Sequence, residues 1–165
     1  MSPISKDQLT VLALDPGYDR LGVAVIKREQ GREVVKFSAC LTSQKTNSFP
    51  DRLAEIGRQL ENLISEWQPN LVALETLFFS TNRKTASAVA ETRGVILYLS
   101  AKAGASICEL NPQSIKLAVT GYGKADKAQV QNMVKRLVKL PDNQRHDDEY
   151  DAIAIGLAAL STDIS

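Results

Sequence analysis

Apolar and polar positions along this chain follow two periods, one of two residues and one of 3.6, and the switch between them marks the elements. Leu9–Leu14 is a β-like apolar run closed by the turn signal Pro16-Gly17. Leu21–Lys27 and Glu33–Leu41 predict a second and a third strand, with Gln30-Gly31 as the hairpin turn between them. Connections this short make the three strands antiparallel. Ser48 is then placed to cap a helix with Pro50 in its first turn, and Leu53, Ile56, Leu60, Leu63, Ile64 and Trp67 recur at helical spacing until Pro69-Asn70. Leu71–Glu75 reads as a short buried strand, 83–102 as a long helix, and Ser106–Leu110 as a fifth strand ended by Asn111-Pro112. A short helix over 113–120, a turn at Gly121-Tyr122-Gly123, a helix over 126–139 and a last helix over 147–161 complete the pattern. Three strands, a helix, a strand, a helix, a strand and then helices predict an α/β domain: a mixed five-stranded sheet with helices on both faces. No repeat, low-complexity tract or linker divides the chain, so residues 1–165 are expected to form one domain with its core over about 9–162.

Composition narrows the classes. A chain of 165 residues with 44% hydrophobic and 24% charged residues suits a globular domain that buries its own core. No apolar run approaches the roughly 20 residues of a membrane span, and Met1–Thr10, with Lys6 and Asp7, lacks the apolar stretch of a signal peptide. A cytoplasmic protein without a membrane partner is the expectation. Cys40 and Cys108 lie far apart in strand-like segments and are read as buried, reduced thiols. Two cysteines and the single His146 do not fill a tetrahedral zinc site, so any metal would be held by oxygen.

The net charge of +1 is uninformative, but its distribution is not. Between Asn111 and Lys139 stand Lys116, Lys124, Lys127, Lys135, Arg136 and Lys139 against Asp126 alone; between Asp142 and Asp151 the sign reverses, with Asp142, Asp147, Asp148, Glu149 and Asp151 against Arg145. Lysines for phosphates beside carboxylates for a metal fit a site that cleaves a polyanion, and two mutually neutralising solvated faces fit the charges equally well.

The placement of the acids favours the first reading. Asp15 closes the first strand, where Pro16-Gly17 turns the chain, and Glu75 closes the otherwise apolar Leu71-Val72-Ala73-Leu74. An ionised carboxylate at the end of a buried strand costs several kcal/mol to desolvate unless a cation or hydrogen bonds compensate. Asp148 and Asp151 stand three apart at a helix start, on one face. Acids in a first turn complement the helix dipole, which accounts for Asp147 and Glu149. Asp151 instead heads the inward stripe continued by Ile155, Ala158 and Ala159. Four acids from three elements suit Mg²⁺ or Mn²⁺, and two such ions roughly 3.5–4 Å apart can activate water and stabilise the leaving oxygen of a phosphodiester.

These residues resemble a known family. Leu14-Asp15-Pro16-Gly17 with Gly22 is similar to the first motif of the RuvC-type Holliday junction resolvases, and Leu74-Glu75-Thr76-Leu77-Phe78-Phe79 with Asn82 to the second. Asn132-Met133-Val134 through Leu140-Pro141, then Asp148-x-x-Asp151-Ala152-x-Ala154, resembles the third and fourth, and the order is kept from about residue 10 to 160. The resemblance implies an RNase H-like fold and a homodimeric DNA endonuclease that nicks two opposed strands of a four-way junction in recombination and repair. It implies one or two Mg²⁺ per subunit, with Mn²⁺ as a substitute, and metal-ligand or catalytic roles for Asp15, Glu75, Asp148 and Asp151. Lys116 and Lys127 match positions where the family carries DNA-contacting lysines, and Phe78 matches an aromatic placed against junction bases. Arg83, Lys84 and Lys124 are further basic candidates for the DNA surface. The helix after Glu75 carries Ala86, Ala90 and Gly94 at four-residue intervals, flanked by Val89 and Leu97. The family's dimer seam uses this helix, although packing on its own sheet would explain the small residues too. A branch-migration motor of the RuvA/RuvB kind is the implied further partner.

Other readings stand beside this one. Tyr18-Asp19-Arg20-Leu21-Gly22-Val23-Ala24-Val25 is worded like the YqgF-type relatives, RNase H-like proteins linked to RNA processing. A junction-binding protein that does not cleave is a third possibility. An actin-like ATPase would need a second phosphate loop and a longer chain. His146, two residues before Asp148, reads as a turn histidine rather than a proton-transfer group.

Overall fold

The computed structural model describes residues 9–17, 19–76, 83–140 and 145–162, the side chains of Arg83 and Lys84 excepted. Tyr18, Phe78, Phe79, Asn82, Pro141 and Asp142, all named above, lie outside the described residues. Five strands and five helices follow in the predicted order: β1 (Thr10–Pro16), β2 (Arg20–Glu29), β3 (Arg32–Thr42), α1 (Phe49–Trp67), β4 (Leu71–Glu75), α2 (Arg83–Lys102), β5 (Ser106–Leu110), α3 (Pro112–Thr120), α4 (Lys127–Leu137) and α5 (Asp147–Ser161).

The strands form one sheet in the order β3-β2-β1-β4-β5. β1, β2 and β3 run antiparallel, while β4 and β5 lie parallel to β1. The β2–β3 turn is the Gln30-Gly31 pair, both at positive φ (51° and 75°), as a two-residue hairpin loop of this twist requires. β1 is apolar from Val11 to Leu14 because both of its faces are covered there. Val11 and Ala13 face a core shared with α3, α4 and α5, and Leu12 and Leu14 face the opposite core, built with α1 and α2. The mixed α/β sheet with helices on both faces is therefore as the pattern predicted.

Helix ends follow local chemistry. Ser48 caps α1 through its hydroxyl, and the helix stops at Gln68 in the left-handed region (φ 44°), one residue before the expected Pro69. Asn111 and Asp126 cap α3 and α4, so Asp126 is the cap of α4 rather than its first residue. α5 is buried from Ala152 to Leu160 and lies directly on the sheet. A methyl carbon at Gly156 would stand 2.6 Å from Ile26 Cδ1 and 3.1 Å from Ala13 Cβ, so only glycine lets the helix come this close.

Candidate active site

The site lies where β1 and β4 end side by side. Leu14 pairs with Leu74 in the parallel ladder, which puts Asp15 and Glu75, one residue further on, at neighbouring carboxyl ends of the sheet. β1 continues in register through Asp15 and Pro16, opposite Gly22 and Leu21, so Asp15 belongs to the strand rather than to the turn after it. Gly22 explains itself here. A side chain on it would overlap the Asp148 carbonyl oxygen and come within 2.6 Å of its carbonyl carbon. The bare backbone opposite Asp15 is what admits the first turn of α5, and with it Asp148.

Asp15, Glu75 and Asp151 line one cleft of about 320 Å³ together with Pro112, Ile115, Lys116, Lys127 and Val130. The electrostatics show how closely the acids are gathered. Burial, and then the negative charges of Asp151, Asp148 and Glu75, push the Asp15 carboxyl from its ordinary 3.8 up to about 7. Burial and Asp151 raise Glu75 against the pull of Lys116. Burial raises Asp151 as well, opposed by its hydrogen bond to Lys127.

Asp148 stands at the edge of this group. Its Oδ2 pairs with Arg20 Nε at 3.0 Å and accepts from the Cys40 thiol at 3.7 Å. Burial and the Asp148 charge lift Cys40 to about 11, so the sulfur keeps its proton and donates. Lys127 Nζ bridges Asp151 (3.1 Å) and Asp147 (3.4 Å). Among the described residues no three metal-type side chains are already drawn into a closed ligand set. Asp148 and Asp151 are instead paired with Arg20 and Lys127. The donor set is all carboxylate oxygen, and it fits a hard divalent ion.

The other sequence candidates separate. Lys116 and Lys127 reach the acid cleft, whereas Lys124 lies across α3 in a second cleft of about 510 Å³ with Leu117 and Tyr122. Gly94 is exposed on α2, and Ala86, Val89, Ala90 and Leu97 are half-buried. Cys40 and Cys108 are free but only half-buried, so the expectation of fully buried thiols is corrected.

Glu149 also requires correction. The dipole argument gives it no task beyond complementing the helix start, yet it is buried and accepts a hydrogen bond from Ser38 Oγ at 2.9 Å. Arg20, Cys40 and Arg93 escaped the sequence reading as well. Arg93, buried on α2, donates through Nη1 to the Glu75 carbonyl oxygen at 2.7 Å and pairs with Glu109 on β5, which fastens the end of β4. Its signal was a charged residue within an otherwise inward-facing helical stripe.

Comparison with known proteins agrees with this geometry. The sequence profile of the family described as crossover junction endodeoxyribonuclease RuvC matches residues 11–159. The chain is 40% identical over 154 residues to crossover junction endodeoxyribonuclease RuvC of Alkaliphilus oremlandii, covering 93% of this chain and 94% of that one. It is 42% identical over 150 residues to the protein of the same name from Alkaliphilus metalliredigens, covering 90% and 91%. T. thermophilus RuvC, solved in complex with a Holliday junction substrate, superposes with a TM-score of 0.84 at 25% identity, over 91% of this chain and 92% of that one. Fold, acid placement and sequence agree: the chain belongs to the RuvC family of crossover junction endodeoxyribonucleases.

Proposed function

We propose that this chain is a divalent-metal-dependent endonuclease that resolves four-way DNA junctions by paired nicks. The observation that carries the reading is the cleft lined by Asp15, Glu75 and Asp151, from three elements, where burial and neighbouring carboxylates raise each acid's affinity for protons while Lys116 and Lys127 stand on its walls. Asp15, Glu75, Asp148 and Asp151 are the residues that would hold Mg²⁺, with Mn²⁺ as a substitute. When bound, the ion supplies an activated water and stabilises the leaving oxygen of the phosphodiester.

The chain's own groups do the rest. Lys116 and Lys127 bind phosphates flanking the scissile one, and Lys127 leaves Asp151 as it does so. Arg20 yields Asp148 to the cleft. Lys124, beside exposed Tyr122 and Leu117, extends the DNA surface past α3. Phe78, Arg83 and Lys84 remain candidates for the same surface.

Two opposed nicks call for two active sites, and α2 offers the seam. Gly94 is exposed, and a side chain there would meet nothing within 4 Å. A glycine inside a helix costs about 1 kcal/mol against alanine. Nothing in the described residues requires it, and close approach of a second α2 does. A homodimer is the assembly this supports, with Ala86, Val89, Ala90 and Leu97 beside the seam. A branch-migration motor of the RuvA/RuvB kind is the further partner proposed. No described helix is long and apolar enough to cross a membrane, and work on chromosomal junctions would place the protein in the cytoplasm.

The test is nicking of a mobile and a fixed four-way junction, with and without Mg²⁺, by wild type and by Asp15→Asn, Glu75→Gln and Asp148→Asn. Loss of cleavage with retained junction binding is expected of each variant. Near wild-type cutting by any of them would remove that residue from the mechanism, and Mg²⁺-independent wild-type cutting would remove the metal. Preference for structured RNA over four-way junctions would transfer the chain to the RNA-processing reading.

A further inference from the structure

The first turn of α5 carries Asp148, and its neighbour Glu149 is clamped in a way that a helix-capping acid does not need. Glu149 Oε1 accepts from the His146 backbone N–H at 3.3 Å, which is the ordinary capping task of a third-position glutamate. Oε2 faces the other way. It accepts from Ser38 Oγ at 2.9 Å and stands 3.9 Å from Arg145 Nε, which itself donates to Ser38 Oγ at 3.4 Å. The side chains of Arg145 and Glu149 are 5% and 11% exposed, so this is a buried charge pair completed by a hydroxyl. One oxygen caps the helix, and the other ties it to β3.

The sheet register gives the tie its consequence. Cys40 on β3 pairs with Gly22 on β2, and Gly22 pairs with Asp15 on β1, so these three residues form one row across the sheet. Ser38 lies two residues before Cys40 and so points to the same face. α5 meets that face of the sheet at three points: Glu149 on Ser38, the Asp148 carboxylate near Cys40, and the Asp148 backbone against Gly22. A helix turns about 100° per residue, so holding Glu149 fixes the roll of the whole first turn.

We propose that Glu149, held by Ser38 and Arg145, is a positioning residue that sets where Asp148 and Asp151 stand for the divalent ion. The inference rests on the nuclease reading above and deepens it: the affinity of the site for metal depends on a hydroxyl of β3 that acts through Glu149. Partners of this kind, one layer behind the ligands, commonly change metal affinity or activity by about 10- to 100-fold when removed.

The experiment compares wild type, Ser38→Ala and Ser38→Thr as full-length protein. It measures the Mg²⁺ dependence of junction nicking, the rise in melting temperature produced by Mn²⁺ alone, junction affinity without metal, and the metal-free melting temperature. Ser38→Ala is expected to need about 10-fold more metal in both the nicking and the melting experiments, with metal-free junction affinity within about twofold of wild type. Ser38→Thr, which keeps the hydroxyl, is expected to restore the wild-type metal dependence. Glu149→Ala strips both oxygens and is expected to lower the metal-free melting temperature as well, which is why the serine variants decide the matter. A Ser38→Ala protein with unchanged metal dependence would overturn the proposal, whatever its melting temperature, and so would a wild type that Mn²⁺ does not stabilise. If wild type is stabilised by Mn²⁺ but nicks no four-way junction, the nuclease reading fails, and the melting comparison of wild type with Ser38→Ala still decides the positioning role.

Discussion

Replacing Asp15 with asparagine should make the metal-free protein more stable while abolishing cleavage. In the fold the Asp15 carboxyl titrates at about 7 rather than 3.8, through burial first and then through Asp151, Asp148 and Glu75. Below pH 3.8 both the folded and the unfolded chain hold the proton, and the group contributes no penalty. As pH rises from 3.8 to about 7 the unfolded chain releases the proton and the folded one keeps it, so stability is lost across that window and the loss is complete above it. At about 1.4 kcal/mol for each pH unit, the ceiling is about 4 kcal/mol. The partial exposure of Asp15 and solvent screening reduce this to about 2 kcal/mol. An asparagine side chain has no proton to lose and escapes the penalty. A gain of that size in a chain this long raises the melting temperature by about 4–8 °C. The assay is thermal or urea unfolding of wild type and Asp15→Asn at pH 4 and pH 8 in chelator, repeated at pH 8 with Mg²⁺. The two proteins should nearly coincide at pH 4 and diverge at pH 8. Mg²⁺ should then close the gap by stabilising wild type alone, by about 2.7 kcal/mol at a hundredfold excess over its dissociation constant. An Asp15→Asn protein no more stable than wild type at pH 8 in chelator, or a difference independent of pH, would refute the claim that the cluster strains the fold.

Gly22→Ala should lower stability by about 1–3 kcal/mol through overpacking against the Asp148 backbone and should depress nicking more than junction binding; urea unfolding beside a junction assay checks this, and unchanged values for both would mean that α5 does not rest on β2 as described. Lys127→Ala should weaken junction binding and reduce the slope of log affinity against log salt by about one; an unchanged slope would leave Lys127 as a partner of Asp151 and Asp147 only. Gly94→Ala should stabilise the isolated protomer by about 1 kcal/mol, because the added methyl meets nothing, yet shift the association equilibrium towards monomer. Sedimentation over a dilution series reads this, and a dimer as tight as wild type would move the seam off this part of α2.

The alternation of apolar residues determined much of this protein directly. The five strands and five helices of the described residues are legible in the sequence, because period and punctuation are local properties: Gln30-Gly31 can close a hairpin, and Ser48 with Pro50 can start a helix, whatever surrounds them. Asp15 and Glu75 were legible for the same reason, as acids ending apolar runs.

What the local pattern does not carry is which distant residues face each other. The dipole argument suffices for Glu149 in isolation, and only the packing of α5 against β3 brings Ser38 and Arg145 to its second oxygen. Arg20, Cys40 and Arg93 likewise take their roles from partners on other elements, Asp148 for the first two and Glu75 for the third. The strength of the acid cluster is of this kind as well. Four carboxylates repel in inverse proportion to distances that exist only once β1, β4 and α5 have met, and that meeting is permitted by the missing side chains at Gly22 and Gly156.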